Sequence, residues 1–303
     1  MSTSKDQPRP TTKEVENPSR VVQNTSLYTT YFRSFSDIPH AAQFARMVRA
    51  KEAVEQDKKT LGPLDTKIPF FEARYKAIDA LIKLNKIDQV VEFAAGRSLR
   101  GINNQQWNYV HTDQDGDALK AMWLFGKSVV GKAGKMPSFV EFDAITGNGF
   151  ENITSCLNGQ RVAVIHEGLY TYYPHATKGK IATQARRLLE IYGGLYITPD
   201  VHLQADMVRW YGLEARTEEQ KRALAEKFNR DLESFHFKDR AEGYSFFGEL
   251  GFNARVYPLG YLVGELSSTK KLFTDPNRIG VVDQVTKSMG IWKMSLRRDL
   301  SQP

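Results

Sequence analysis

The clearest apolar pattern in the chain is the run over residues 89–96, QVVEFAAG. Val90, Val91 and Phe93 are typical of a strand buried on both faces of a parallel sheet. Ala94 and Gly96 follow directly, and small residues let the backbone turn sharply so that a ligand can approach it closely. This pattern predicts a first strand that ends at a mononucleotide pocket.

A second strand is predicted over residues 108–115, NYVHTDQD, which end in acids. Asp113 or Asp115 at that place can hydrogen-bond both hydroxyls of a ribose. Helices are predicted after the second and fourth strands, at residues 117–130 and 176–192. The remaining strands are predicted at residues 138–142, 161–167, 195–198, 252–257 and 290–294. Strands that alternate with helices indicate an α/β protein.

The segment before the first strand has helical periodicity. Apolar residues recur at helical intervals over residues 21–60, and Pro39 interrupts them, which predicts two short helices. Residues 69–86 are predicted to form a longer amphipathic helix, with Arg74 on its apolar face. A buried guanidinium is costly unless it meets an anion, so a ligand carboxylate is predicted there, with a structural salt bridge as the alternative. The opposite, polar face is predicted to contain Glu72, Lys76, Asp79 and Lys83.

Two further segments have weaker patterns. Residues 1–20 are rich in Ser, Thr, Pro and charge and are predicted to form a disordered tail. Thr217 and Gln220 form a possible capping box that opens a helix, which predicts a helical lid over about residues 201–250. Residues 259–289 fit no single element.

The composition places the chain among basic globular proteins. It has 303 residues, 41% of them hydrophobic, a net charge of +7 and a pI near 9.3. The basic residues are dispersed, so a basic enzyme is preferred over a nucleic-acid-binding protein. No apolar run reaches the roughly 20 residues that span a bilayer, and the N-terminus does not resemble a secretion signal. The single cysteine, Cys156, suits a reducing compartment and a buried thiol, which favours the cytoplasm. No feature bears on the oligomeric state.

Polar side chains follow the predicted strands where ligands bind in open α/β sheets. After the first strand, Arg97, Ser98 and Gly101 offer donors at a predicted helix start. Asp143 closes the third strand and suits a purine amino group, although a loop acid is an equal alternative. The fourth strand leads into Glu167 and a tyrosine cluster at residues 170–173, which either lines the crevice or seals the core. His202 follows the fifth strand and is a possible base, whereas packing is its commoner role.

Three motifs resemble the leucine carboxyl methyltransferase family, which includes bacterial polyketide-type O-methyltransferases. ARYKAID resembles the family's arginine-containing helix, with Arg74 at the arginine and Asp79 at the aspartate. VEFAAGRSLRG resembles its glycine-rich turn, and EGLYTY matches its Glu-Gly-Leu-x-x-Tyr motif. The resemblance covers about residues 23–294. The chain departs from the family where Ala94 replaces the first glycine and where HTDQD lacks the usual proline.

The resemblance implies a Rossmann-like class I methyltransferase sheet of seven strands, the last one antiparallel. It implies an N-terminal helical cap, placed at residues 21–86, and a cofactor-binding domain, at 87–303, with a helical lid inserted before strand six. It also implies S-adenosylmethionine as cofactor, no metal, and O-methylation of a carboxylate or hydroxyl on a small molecule or peptide. The catalytic candidates are Tyr172 and His202, and the cofactor-binding candidates are Arg74, Glu92, Ala94, Gly96, Asp113, Asp115, Asp143 and Glu167.

Two other classes of function stay open. A nucleotide-binding oxidoreductase shares the acidic second strand but requires a fuller G-x-G-x-x-G than AAGRSLRG. An RNA-associated methyltransferase, or a non-catalytic binding module, is the other alternative.

Overall fold

A computed structural model describes residues 18–61, 67–206, 217–219, 222 and 235–297 of the chain. Residues 1–17 of the predicted tail and most of the helix predicted from Thr217 lie outside these residues, whereas residues 18–20 of the predicted tail are helical. Seven strands form one sheet. They are β1 (Gln89–Phe93), β2 (Asn108–Asp113), β3 (Ser138–Glu141), β4 (Val162–His166), β5 (Gly194–Thr198), β6 (Phe252–Pro258) and β7 (Gly290–Leu296).

The strand order is β3-β2-β1-β4-β5-β7-β6, and β7 runs antiparallel to both of its neighbours. The other neighbouring pairs, from β3 through β5, are parallel. Glu92 on β1 lies opposite His111 on β2 and Ile165 on β4, so the carboxyl ends of these central strands meet at one edge. The predicted seven-stranded Rossmann-like sheet with an antiparallel last strand is confirmed.

Helices cover both faces of the sheet and precede it. Four of them come before β1: α1 (Pro18–Arg33), α2 (Ala41–Met47), α3 (Ala50–Leu61) and α4 (Lys67–Leu84). The other α-helices within the described residues are α5 (Arg100–Asn103), α6 (Gly116–Val129), α7 (Phe150–Ser155), α8 (His175–Tyr192), α9 (Arg240–Glu249), α10 (Ser267–Leu272) and α11 (Pro276–Ser288). Short 3₁₀ turns lie at Tyr170–Tyr172 and Leu259–Tyr261.

The prediction of two helices over residues 21–60 is wrong, because α2 and α3 are separate. The break lies at Arg49, whose φ of 55° is left-handed. Neither glycine nor proline marks this position, so the sequence pattern contains no breaker there. The segment 259–289, which fitted no single element, contains a 3₁₀ turn and the helices α10 and α11.

The sheet separates two apolar cores. Val91 and Phe93 pack on one face with residues of α8 and α9, and Val90 packs on the other face with α4. The predicted polar face of α4 is wrong at Glu72, which is fully buried. Its carboxylate accepts hydrogen bonds from the backbone N–H groups of Ser267 (3.0 Å) and Ser268 (2.8 Å), so it satisfies the start of α10. The pattern within one helix cannot reveal a partner almost 200 residues away in the chain.

Cys156 was predicted to be buried, and its side chain is only half-buried at the end of α7. None of the helices that the structure describes combines the length and the apolar character required to cross a bilayer.

Candidate functional site

A cavity of about 510 Å³ opens at the carboxyl ends of β1, β2 and β4. Five segments line it: α1, the turn after β1, the loop after β2, the loop after β3 and the turn after β4. The lining residues are Thr25, Ser26, Thr29, Arg33, Glu92, Ala94, Ala95, Gly96, Arg97, Ser98, Asp113, Gln114, Asp115, Ala118, Phe142, Ala144, Ile145, Glu167, Gly168, Leu169, Tyr172 and Tyr173.

The turn after β1 brings the backbone to the edge of the cavity. Ala94 and Gly96 both adopt left-handed conformations, with φ of 45° and 52°. A Cβ at Gly96 would lie 3.3 Å from the Cβ of Ser26, so α1 packs closely over this turn. The small residues seen in the sequence therefore serve both the backbone conformation and the approach of α1.

The acids at the end of β2 have different roles. The Asp113 carboxylate accepts hydrogen bonds from the backbone N–H groups of Gly96 (2.7 Å) and Asp115 (2.9 Å), which ties the two turns together. Burial raises the pKa of Asp113 above its usual range, against the opposing effect of these N–H groups. Asp115 caps α6 by accepting from the N–H of Asp117 at 3.0 Å. Both acids line the cavity.

Glu167 lies at the centre of three guanidinium groups. The distance from its Oε2 is 2.6 Å to Arg33 and 3.1 Å to Arg100, and its Oε1 lies 3.5 Å from the Nε of Arg74. The Oε1 atom is buried and has no hydrogen-bond partner among the described residues. Glu92 lies nearby, accepting from the hydroxyl of Tyr109. The floor of the cavity thus carries acids held by neighbouring cations.

Asp200 anchors the turn that contains Glu167. It accepts from the N–H groups of Gly168 (2.9 Å) and Leu169 (2.8 Å), and it also contacts His166 and Arg74. Burial alone would raise the pKa of Asp200, but Arg74 and the His166 hydrogen bond hold it well below its usual range. Asp200 is therefore ionised at neutral pH and fixes the backbone after β4.

Arg74, His202 and Asp143 are the predicted site residues that do not line this cavity. Arg74 is buried against Asp200 and Glu167, which favours the salt-bridge alternative over a ligand carboxylate. His202 is buried, and burial and Arg74 hold its pKa well below its usual range. The carboxylate of Asp143 accepts from the N–H of Ile145 at 2.8 Å, so it shapes its own loop.

The tyrosine cluster divides between the cavity and the core. Tyr172 and Tyr173 line the cavity. Tyr170 is fully buried, and its hydroxyl accepts from that of Tyr196 at 2.6 Å. Tyr170 therefore seals the core, as one alternative predicted, whereas Tyr172 and Tyr173 line the cavity.

Helix α1 lines the cavity with residues that no sequence motif predicted. Thr25, Thr29 and Arg33 recur every four residues, and Ser26 lies beside them, so they share one helix face. The spacing of this polar stripe is visible in the sequence, but α1 also contains other polar residues such as Gln23 and Asn24, so the pattern alone does not single out this face. The described residues contain no group of three or more potential ligands placed to hold a metal ion.

Comparisons with known proteins identify the fold. No family model matches the chain, and no curated protein matches it in sequence. A DUF574 family protein from Streptomyces avermitilis superposes with a TM-score of 0.54 at 13% identity, covering 90% of this chain and 97% of that one. A putative methyltransferase from Thermobifida fusca has a TM-score of 0.50 at 11% identity, covering 89% and 94%.

A magnesium protoporphyrin IX methyltransferase from Synechocystis, solved with bound SAM, also matches. Its TM-score is 0.49 at 11% identity, and the match covers 94% of this chain and 100% of that one. With the strand order, the first two likenesses establish the Rossmann-like class I methyltransferase fold.

Proposed function

We propose that the protein is an S-adenosylmethionine-dependent methyltransferase. One observation carries this proposal. In this fold, the turn of small residues after β1, the acid Asp113 at the end of β2 and the acid Glu167 after β4 line the same cavity. The likeness at these low identities extends to the fold alone, and the leucine carboxyl methyltransferase resemblance stays a prediction. The site chemistry therefore supports the function.

The lining residues fit the parts of this cofactor. Asp113, with Asp115 beside it, suits the ribose hydroxyls. The apolar side chains of Phe142, Ala144 and Ile145 suit a purine ring. Glu167 has a buried carboxylate oxygen without a hydrogen bond, which suits an ammonium group. Ala94 and Gly96 belong to the turn that lets the backbone approach the ligand. Glu92, on the strand before this turn, is a further acid in the cavity lining.

S-adenosylmethionine, when bound, supplies an activated methyl group for in-line displacement by an acceptor atom. The contribution of the protein is to orient the reactants and exclude water. Tyr172 lines the cavity next to Gly168 and Leu169, where its hydroxyl is suited to position an acceptor oxygen. Reaction of this kind requires no covalent intermediate with the protein.

We infer that the acceptor atom is a carboxylate or hydroxyl oxygen of a small molecule or peptide, with a carboxylate favoured. An ionised carboxylate has no proton to remove, whereas a hydroxyl requires a base. No histidine is found among the described residues that line the cavity, and the lowered pKa of His202 makes it a weak base. A catalytic role for His202 stays a prediction that the geometry does not support.

Two experiments test the proposal. Calorimetry with S-adenosylhomocysteine and with NAD should show binding of the first ligand only. Incubation with S-adenosylmethionine and a metabolite extract should give a product heavier by one methyl group, found by mass spectrometry. Binding of NAD alone would instead support an oxidoreductase, and salt-resistant binding of RNA would support an RNA-associated protein.

A further inference from the structure

Helix α1 forms one wall of the cavity and is tied to the turn after β1. Arg97 donates a hydrogen bond from its guanidinium to the hydroxyl of Ser26. The Cβ of Ser26 is also the nearest atom to a Cβ built at Gly96. The polar stripe of α1 therefore lies against the region where the fold binds its cofactor, and Arg33 is the last residue of that stripe.

Arg33 is a buried cation with binding capacity left over. Only 9% of its side-chain surface is exposed, yet it lines the cavity. Its Nη2 lies 2.6 Å from Glu167, and its guanidinium carbon lies 4.9 Å from the centre of the Tyr75 ring. Its Nε is buried without a hydrogen-bond partner among the residues that the structure describes. A guanidinium carries five N–H donors, and a buried donor without an acceptor is costly.

The Nε atoms of Arg74 and Arg100, like that of Arg33, are buried without a hydrogen-bond partner among the described residues, so the position of each guanidinium relative to the cavity distinguishes them. Arg74 pairs with Asp200 and Glu167, and neither Arg74 nor Arg100 lines the cavity. Arg100 is fully buried and bonds to Asp79, Glu167 and the carbonyl of Tyr75. Besides Arg33, the cationic lining residue in the described part of the chain is Arg97, which is bonded to Ser26.

Arg33 and Glu167 together present a cation next to an anion on the cavity wall. An α-amino-acid group has the opposite arrangement, with a carboxylate and an ammonium on one carbon. The guanidinium suits the carboxylate, and the carboxylate of Glu167, whose Oε1 accepts no hydrogen bond among the described residues, suits the ammonium. The adjacent charges therefore complement a zwitterion.

We propose that Arg33 binds the carboxylate of the methionyl end of S-adenosylmethionine, while Glu167 binds its ammonium group. This inference rests on the proposed function. It assigns to α1 the carboxylate-binding role that the sequence motif suggested for Arg74 on α4. The helical segment before the sheet thus contributes directly to the cofactor site.

The test compares ligands that differ only in the carboxylate. Calorimetric affinities of the full chain are measured for S-adenosylmethionine and for decarboxylated S-adenosylmethionine, which keeps the ammonium group. The wild type should bind the decarboxylated ligand about tenfold or more weakly, the usual scale for a charge-assisted hydrogen bond. Arg33→Gln should lower the affinity for S-adenosylmethionine by a similar factor and leave the affinity for the decarboxylated ligand within about twofold. Arg33→Lys should recover part of the loss.

The control is Arg49→Gln, which removes the same charge from an exposed arginine paired with Glu52. It should leave both affinities unchanged, and melting temperatures would show that each variant folds. If Arg33→Gln weakens both ligands equally, Arg33 acts through Glu167 and the proposal is overturned. If it weakens neither ligand, the carboxylate lies elsewhere and the proposal also fails. Absence of binding by the wild type would instead refute the proposed function.

Discussion

At the scale of single residues, Ala94 adopts a left-handed conformation that an L-residue with a Cβ rarely takes, with φ of 45°. This conformation costs a non-glycine residue roughly 1–2 kcal/mol. Ala94→Gly removes that cost and adds the chain entropy of glycine, roughly 0.5–1 kcal/mol. We expect the melting temperature of Ala94→Gly to be unchanged or higher.

Ala95→Gly is the matched control, because Ala95 is not among the described residues with positive φ. This substitution should lower the melting temperature, since it increases the conformational entropy of the unfolded chain without removing an unfavourable backbone conformation from the folded state. Equal destabilisation by the two substitutions would show that Ala94 is not strained.

Asp113 offers a second prediction at this scale. Asp113→Asn keeps the size of the side chain but removes the negative charge that suits the ribose hydroxyls. We expect the affinity for S-adenosylhomocysteine to fall by about 1.5–3 kcal/mol, the range for hydrogen bonds to charged groups. Calorimetry provides the measurement, and Asp115→Asn is the comparison, because Asp115 also lines the cavity while its carboxylate caps α6. A loss confined to Asp115→Asn would move the ribose assignment to Asp115.

Tyr172→Phe tests the acceptor side of the cavity. The substitution keeps the ring and removes the hydroxyl, so it deletes hydrogen bonding without opening a space. If the hydroxyl positions the acceptor oxygen in the transition state, turnover should fall about tenfold or more, while cofactor affinity is retained. The same substitution at Tyr173, which also lines the cavity, is the comparison. Normal turnover by Tyr172→Phe would place the acceptor site elsewhere.

At the scale of elements, the turn after β4 depends on the segment after β5. Asp200 binds the backbone of Gly168 and Leu169 and the side chains of His166 and Arg74. Asp200→Asn leaves Arg74 without its full counter-charge, and breaking a buried pair of this kind costs about 3–5 kcal/mol. We expect the free energy of unfolding to fall by that order. Cofactor affinity should fall as well, because Glu167 lies on the same turn.

The sign of the pH dependence follows from the lowered pKa of Asp200. A carboxyl whose pKa is lower in the folded state stabilises the fold above its unfolded pKa of about 3.9, and this contribution is lost as the pH falls below that value. Denaturant titrations at a series of pH values, from neutral to below that value, should show the free energy of unfolding falling more steeply with decreasing pH in the wild type than in Asp200→Asn. Parallel curves would mean that Asp200 is not a source of acid sensitivity.

Local patterns in the sequence predict the strands well. They do not predict which distant residues contact the buried polar side chains. The run at residues 89–96 predicts β1 because burial on both faces requires a continuous apolar stretch, which is a local property. Glu72 and Arg74 depend instead on residues 267–268 and on Asp200, which meet α4 only in the folded chain. The contribution of α1 depends equally on tertiary packing, although its polar stripe is visible in the sequence.

At the scale of the whole molecule, the charge on the surface and the charge in the site predict different responses to salt. The net charge of +7 comes from dispersed basic residues. Dissolved salt screens the attraction between such solvent-exposed charges and a nucleic acid. Glu167 and Arg33 are each more than nine-tenths buried, where salt screens little. We therefore expect the affinity for S-adenosylhomocysteine to change less than about threefold between about 50 and 300 mM salt. Binding of RNA, if measurable at low salt, should fall steeply over the same range, because it releases condensed counterions.

Both affinities are measured on the same preparation, by calorimetry for S-adenosylhomocysteine and by fluorescence anisotropy for a labelled RNA. A competition experiment completes the test, because a small-molecule or peptide methyltransferase should bind S-adenosylhomocysteine equally well with and without RNA. RNA binding that survives about 300 mM salt would indicate specific contacts beyond the dispersed charge. That result, together with a change in cofactor affinity when RNA is bound, would reverse the preference for a small acceptor and make nucleic acid the substrate to pursue.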